Sequence, residues 1–255
     1  MVTALITTKE RMSSDALVIR ETSIGESDKV LTLLTRDFGV IRAFSSGSKK
    51  IGNKKFSASS LLSYANFSFV KAGDTYKIYE ASSIDSFFDV GSDLTRLSVA
   101  QYFCELALVA APVEAPAEEY LRLFLNSLHY LVKKGKNYEL IKAVTELRLA
   151  VISGYMPDLV ACENCSLYED DIMYFNVLSG KLFCGDCKYS DLHFLPIDRT
   201  VLSAMRHIVF SPFKNIYSFD IPDNKAEILS KITEKYISLQ TDHKFKTLDF
   251  LNQIK

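Results

Sequence analysis

The sequence predicts an α+β, multidomain protein: a small β-barrel, then a helical domain that carries an inserted four-cysteine, zinc-ribbon-like module. Three observations predict it. Period-two alternation fills the first third of the chain, and helical periodicity runs from Asp93 onward. Four of the five cysteines form two C-x-x-C pairs inside that helical part. With 255 residues, 48% of them apolar, the chain can bury a sizeable core in more than one domain.

The β segments come first, at residues 16–20, 29–35, 40–44, 61–71 and 75–81. Turn signals separate them: Gly25, Asp37-Phe38-Gly39, Gly47, Gly52-Asn53 and Ala72-Gly73-Asp74. In the fourth segment Ala65, Phe67 and Phe69 alternate with Asn66 and Ser68, the mark of a strand buried on one face. Five such strands in about 70 residues match a small closed barrel such as an OB-fold, although alternation does not separate it from other small barrels.

After Asp93 the period lengthens. One stripe holds Leu94, Leu97, Gln101, Cys104 and Leu108, and its neighbour holds Val99, Phe103, Leu106 and Ala110; Pro112 and Pro116 end this helix. A second helix is expected over 117–134, stopped by Gly135, and a third over 138–153, stopped by Gly154 and Pro157. Beyond the cysteines, Asp198 is expected to cap one helix and Asp223 or Asn224 another, with a last helix over 243–254. The expected domains are 1–85 for the barrel, 86–157 with 196–255 for the helices, and 158–195 for the inserted module.

Cys162, Cys165, Cys184 and Cys187 read as C-x2-C, eighteen residues, C-x2-C. Two intervening residues let each pair turn as a knuckle that presents both thiolates to one ion, and two knuckles complete a tetrahedral shell. Between them, 172–177 and 181–183 flank Leu178-Ser179-Gly180 as a hairpin, which delivers the second knuckle beside the first. A redox dithiol normally occurs as one pair before a helix, and core cysteines have no reason to pair at this spacing. One structural Zn²⁺ is therefore expected. Four thiolates leave no open position for catalytic water. Residues 158–195 carry seven acidic and two basic side chains, so this module is a poor phosphate grip. His193 lies near the second knuckle, but the shell is complete without it.

Net charge is −1, yet no acidic residue occurs between Asp37 and Asp74, where Arg42, Lys49, Lys50, Lys54, Lys55 and Lys71 all fall. The densest part, 45–56, is a loop by composition. Lysines among small residues there can follow a phosphate backbone without reading sequence, and Arg42, Lys49, Lys50, Lys54 and Lys55 are the candidate nucleic-acid contacts. The competing reading is a solvated charged loop. Phe56 and Tyr64 are weaker candidates for base stacking.

There is no Gly-rich phosphate loop with its lysine, no G-x-S-x-G and no H-E-x-x-H. His129, His193, His207 and His243 are scattered, so no catalytic residues are expected and the chain is read as a non-enzyme. The longest apolar stretch, 106–113, is too short to span a bilayer, and residues 1–9 lack the basic start and apolar run of a secretory signal. Few cysteines and a metal pattern fit a reducing, intracellular compartment.

A set of short motifs runs along the chain in a fixed order and carries a family resemblance. The N-terminal match is Ala16-Leu17-Val18-Ile19-Arg20, Gly25-Glu26-Ser27-Asp28-Lys29-Val30-Leu31-Thr32-Leu33-Leu34-Thr35 and Phe38-Gly39, followed by Ser46-Gly47-Ser48-Lys49-Lys50. In the helical half Tyr102-Phe103-Cys104-Glu105-Leu106 and Glu146-Leu147-Arg148-Leu149 fit, then Gly154-Tyr155-Met156-Pro157-Asp158-Leu159 and the first C-x-x-C. The tail His243-Lys244-Phe245-Lys246-Thr247-Leu248 is a weaker match. In this order and spacing the chain resembles the RecO family of bacterial recombination mediators, and the resemblance implies an N-terminal OB-fold, a helical domain and an inserted zinc module. It also implies binding of single- and double-stranded DNA, annealing of complementary strands, and work with RecR to load RecA onto strands coated by single-strand-binding protein. That protein's C-terminal tail would dock in the helical domain, with Arg122 and Arg148 as candidates. The implied place is the bacterial cytoplasm, at the nucleoid, with no membrane. Lys49-Lys50 stands where arginine is common, which keeps charge but loses bidentate phosphate geometry. The competing function is a zinc-stabilised scaffold whose protein partner supplies the DNA binding.

Overall fold

The alternating segments close into a barrel. In the computed structural model, which describes residues 11–53, 55–88 and 93–254, the strands are β1 (Met12–Ile24), β2 (Asp28–Thr35), β3 (Gly39–Ser45), β4 (Ser63–Ala72) and β5 (Thr75–Ser86). Their order is β1-β2-β3-β5-β4, closed by β1 against β4, with β3 and β5 running parallel. This is an OB-like arrangement of five strands. The start of the chain, read above as no signal, lies outside the described residues.

The core of the barrel is the inward row of each strand: Val18, Leu31, Leu33, Ile41, Phe67, Phe69 and Ile78. Ala65, Phe67 and Phe69 are fully buried, as the alternation predicts. β1 and β5 run several residues past the expected ends. Glu21, Thr22, Ser23 and Ile24 are exposed and held by ladder bonds to β2 and by the Glu21–Lys29 ion pair, so no hydrophobic pattern announces them. Between β3 and β4 a short helix, α1 (Lys55–Ala58), replaces the end of the expected loop, because Ala58 is buried completely against the barrel core.

The division by contacts places Ala111–Arg122 with residues of Met1–Ser92, and Asp93–Ala110 with Leu123–Lys255. The Phe38-Gly39 pair of the family pattern acquires its reason from this. Gly39 has φ +60°, and a Cβ there would lie 2.2 Å from the Pro112 carbonyl oxygen. That carbonyl accepts from the Val40 N–H at 2.8 Å.

The second unit contains α2 (Leu94–Ala110), α4 (Tyr138–Ile152), α5 (Arg199–Phe210), α6 (Asp223–Thr241) and α7 (Lys246–Gln253). α3 (Glu118–Leu128) runs on into a π-helical turn, His129–Lys133. On α2 the stripe of Val99, Phe103 and Leu106 is buried, whereas Leu94 is exposed and Leu108 only half-buried. Asp198 caps α5 as expected, its carboxylate accepting from the Val201 N–H at 2.9 Å. Neither Asp223 nor Asn224 caps α6. The helix starts at Asp223 behind Pro222, whose φ of −53° already suits the first turn. α7 starts three residues later than expected, because Glu105 of α2 receives the N–H groups of Lys246 and Thr247 at 3.2 and 2.9 Å and serves as its cap. Phe245 packs edge-on against Tyr102, so two separate pieces of the family pattern meet here.

Lys142 and Glu146 of α4 are both fully buried and 3.0 Å apart. Tyr102 and Thr233 donate to the Glu146 carboxylate at 2.8 and 2.6 Å, and Lys142 also reaches Glu234 at 2.8 Å. Burial raises the Glu146 pKa above the usual carboxylate value, and Lys142 opposes it. Removing the ammonium strands a buried carboxylate. Lys142→Ala is expected to destabilise the protein by about 3–5 kcal/mol. Lys142→Ala with Glu146→Leu is expected to recover much of that. Urea unfolding of both variants tests it; a single variant within 1 kcal/mol of wild type, on the order of ordinary surface changes, would contradict it.

Residues between α4 and α5 form a separate four-stranded sheet, β6 (Asp158–Cys162), β7 (Ile172–Asn176), β8 (Lys181–Phe183) and β9 (Phe194–Asp198), in the order β6-β8-β7-β9. The hairpin β7–β8 is the expected one. The outer strands β6 and β9 are additions, made by the segments that enter and leave the module.

Candidate functional site

The two knuckles meet at one end of this sheet. Cys162 ends β6 and Cys184 follows β8; β6 runs parallel to β8, with Cys162 opposite Leu182. Each knuckle is closed by its own backbone: the Cys162 N–H bonds the Leu167 carbonyl at 2.8 Å, and the Cys187 N–H bonds that of Cys184 at 3.2 Å. Cys162 and Cys184 are buried, Cys187 half-buried and Cys165 exposed, and all four are free thiols. Their sulfurs lie within 4.8 Å of one another. The Cys165–Cys184 separation is 3.7 Å. Four sulfurs around one ion at ~2.3 Å would sit about 3.8 Å apart, so the set is compatible with a metal site.

The electrostatics agree. Burial pushes the Cys162 thiol up, but the backbone amides of Cys165, Cys184 and Asn164 overcome it and bring the pKa down to about 6. Cys187, crowded by the thiols of Cys184 and Cys165, is pushed up to about 12. Four thiols this close do not ionise together without a cation among them. His193 is not in the set: its Nδ1 lies 2.6 Å from Asp191 instead.

The module is fastened to the helices by named contacts. Arg206 of α5 donates to the carbonyls of Leu159, Val160 and Tyr168 at 2.8, 2.9 and 2.6 Å and stacks over the Tyr168 ring. Gln240 of α6 donates to the carbonyls of Val177 and Leu178. The Gly180 turn, φ +70°, sits so close to Tyr236 that a Cβ there would be 2.8 Å from the hydroxyl.

The basic candidates fall on the barrel. The β3–α1 loop is pinned rather than free. Asp28 accepts from the Gly47 N–H at 2.8 Å, the Lys49 N–H bonds the Ser27 carbonyl at 3.0 Å, and Asn53 bridges back to Gly47. The Gly47 amide and the Ser27 hydroxyl lower the Asp28 pKa, helped by Lys50 and Lys55 nearby. So Lys49, Lys50 and Lys55 gather around the β1–β2 turn, with the Lys49 ammonium on the Gly25 carbonyl at 3.0 Å. Arg42 stands apart, exposed on β3 opposite Thr32, three ladder positions or roughly 10 Å from the Ser45 end. Lys54 lies outside the described residues. Of the stacking candidates, Phe56 is partly exposed and Tyr64 half-buried. Arg148 donates to the carbonyls of Ile208, Val209 and Ser211 and so closes the end of α5; Arg122 is exposed on α3.

The loop reading passed over Arg11, Lys77 and Tyr79. Arg11 lies over the Tyr79 ring at 5.4 Å and Lys77 at 5.8 Å. The alternation Tyr76-Lys77-Ile78-Tyr79 carried the signal, since Tyr76 and Ile78 point inward.

No helix among the described residues is long and apolar enough to cross a membrane. The family model Recombination protein O N terminal matches residues 10–87, and Recombination protein O C terminal matches 91–249. The chain is 29% identical to the DNA repair protein RecO of Acetivibrio thermocellus over 95% of this chain and 97% of the relative. It is 30% identical to that of Caldicellulosiruptor bescii, over 96% and 99%. It is 31% identical to that of Dehalococcoides mccartyi, over 85% and 84%. These names denote a DNA repair protein. With both halves matched in order and nearly full length covered, the chain belongs to the RecO family of DNA repair proteins.

Proposed function

We propose that this chain is a recombination mediator: it binds single- and double-stranded DNA, anneals complementary strands and, with RecR, helps load RecA onto DNA coated by single-strand-binding protein. The observation that carries this reading is the match to both RecO family models, joined to an acid-free basic stretch on the barrel. Arg42, Lys49, Lys50, Lys54 and Lys55 supply affinity without base reading, since each ammonium or guanidinium displaces counterions from phosphate. Their work calls for no catalytic group. The division of labour follows the three expected parts: barrel 1–85 for DNA, helices 86–157 and 196–255 for partners including the tail of single-strand-binding protein, and module 158–195 as a clamp. The place of action is the bacterial cytoplasm, at the nucleoid.

Cys162, Cys165, Cys184 and Cys187 hold one structural Zn²⁺. The ion supplies a crosslink between the two knuckles, while the amides around Cys162 favour the thiolate. The acidic surroundings of the module favour a second role as a protein-binding face, which keeps the scaffold reading in view.

A strand-annealing assay on DNA coated by single-strand-binding protein, with and without RecR, tests the mediator. Faster annealing than the coated strands alone is expected from the purified chain. A chain that neither anneals nor shifts a labelled oligonucleotide at physiological salt would leave the scaffold reading in its place.

A further inference from the structure

A cleft of about 550 Å³ opens on the outer face of β4, β5 and α1, within the size range of small-ligand sites. Lys55, Ser68, Tyr79, Glu80 and Ser82 help line it. The backbone is built unusually here. Phe69 pairs with Ile78 and Ser68 with Glu80, which leaves Tyr79 as an extra, unopposed residue in β5. A bulge of this kind re-aims a side chain, and it turns Tyr79 and Glu80 both outward. Tyr79 is 44% exposed, although Tyr76, on the inward row of the same strand, is buried.

Three cations gather at the cleft. Arg11 and Lys77 lie over the ring, and Lys55 lines the cleft. Among the described residues, none of the three ion-pairs with a carboxylate. Burial, and Lys77 close by, both lower the Lys55 pKa, while Asp28 opposes them. Among the described lining residues Glu80 is the one carboxylate. It repels phosphate but accepts from an exocyclic amino group, as the Ser68 and Ser82 hydroxyls also do.

We propose that this cleft is a nucleotide subsite for single-stranded DNA, in which an unpaired base stacks on Tyr79 beneath Glu80, Ser68 and Ser82 while its flanking phosphates meet Arg11, Lys55 and Lys77. It rests on the DNA-binding reading above and adds to it a grip on the base, which the lysine loop lacks. A duplex, whose bases are already stacked, does not use it. The barrel thereby distinguishes single from double strands.

The chain has no tryptophan, so Tyr79→Trp installs a lone fluorescent reporter. In the full chain, a deoxycytidine oligonucleotide, whose bases carry the exocyclic amino group, is expected to quench the introduced indole saturably, over the same concentrations that raise the anisotropy of the labelled strand. Tyr79→Ala is expected to weaken single-strand binding roughly 5- to 150-fold, the range of one base–aromatic stack. It should leave duplex binding, and binding of an abasic strand of equal length, within about twofold, because those contacts are to phosphate. Arg11→Ala with Lys77→Ala should reduce the salt slope on single strands by about 1.4. Unchanged affinity of Tyr79→Ala, an indole emission that stays constant up to saturation, or an equal loss on duplex would each overturn the subsite while leaving the lysine loop intact. A wild-type chain that binds no oligonucleotide at all would overturn both.

Discussion

Purified protein is expected to contain one zinc per chain, and Cys165→Ser to lose it together with a large part of the stability of the module. Cys165 is the informative position because it is exposed. Exchanging sulfur for oxygen there opens no buried cavity, so a loss of stability reports the ion rather than the packing. Structural zinc in small peptides binds with about 10–16 kcal/mol at neutral pH. If only about 3 kcal/mol of that reaches the folding equilibrium, Tm falls by roughly 6–12 °C for a chain of this size. Cys104, buried in α2 and outside the cluster, is the control. Cys104→Ser should keep full metal content. Metal analysis by mass spectrometry with a thermal melt separates these outcomes, and carefully purified wild-type protein with no metal would end the zinc assignment. Because Arg206, Gln240 and Tyr236 tie the module to α5 and α6, the loss is expected to reach those helices. Hydrogen exchange in α5 should rise in Cys165→Ser.

The second large effect is electrostatic. If Lys49, Lys50, Lys54 and Lys55 each neutralise one phosphate of single-stranded DNA, the log–log salt slope is about −2.8, a loss of roughly 50-fold between 50 and 200 mM salt. Changing all four to alanine is expected to flatten that slope and to weaken binding most at low salt. The pinned loop adds a refinement. Lys49 also holds the Gly25 carbonyl, so its removal loosens the β1–β2 turn as well as the charge. Lys49→Gln, which keeps a donor on a shorter, uncharged side chain, separates the two contributions. Titration of a labelled oligonucleotide at four salt concentrations measures the slope; an unchanged slope in the quadruple variant removes this loop from the interface.

How much of this is legible in the sequence depends on the interaction concerned. Alternation located all five strands because burial on one face leaves a mark every second residue, as at Ala65, Phe67 and Phe69. It missed the distal part of β1, where Glu21, Thr22, Ser23 and Ile24 hold the strand by backbone bonds that any side chain permits. Helix starts were legible at Asp198, whose own side chain is the cap. They were not at α7, whose cap is Glu105, some 140 positions earlier in the chain. Tyr79 looked like one more alternating residue, since a bulge is a property of the pairing between two strands and not of either one.

The sequence by itself determined the class of the fold, the four cysteines that come together and the family to which the chain belongs. All three rest on spacing: side-chain period, knuckle length, and the order of short motifs. Only the tertiary structure decided why Gly39 is required beneath Pro112, how Asp28 pins the lysine loop, and where an exposed aromatic ring meets two cations. Those are contacts between residues distant in the chain, fixed by hydrogen-bond register and close packing. Neither leaves a periodic trace in the order of amino acids.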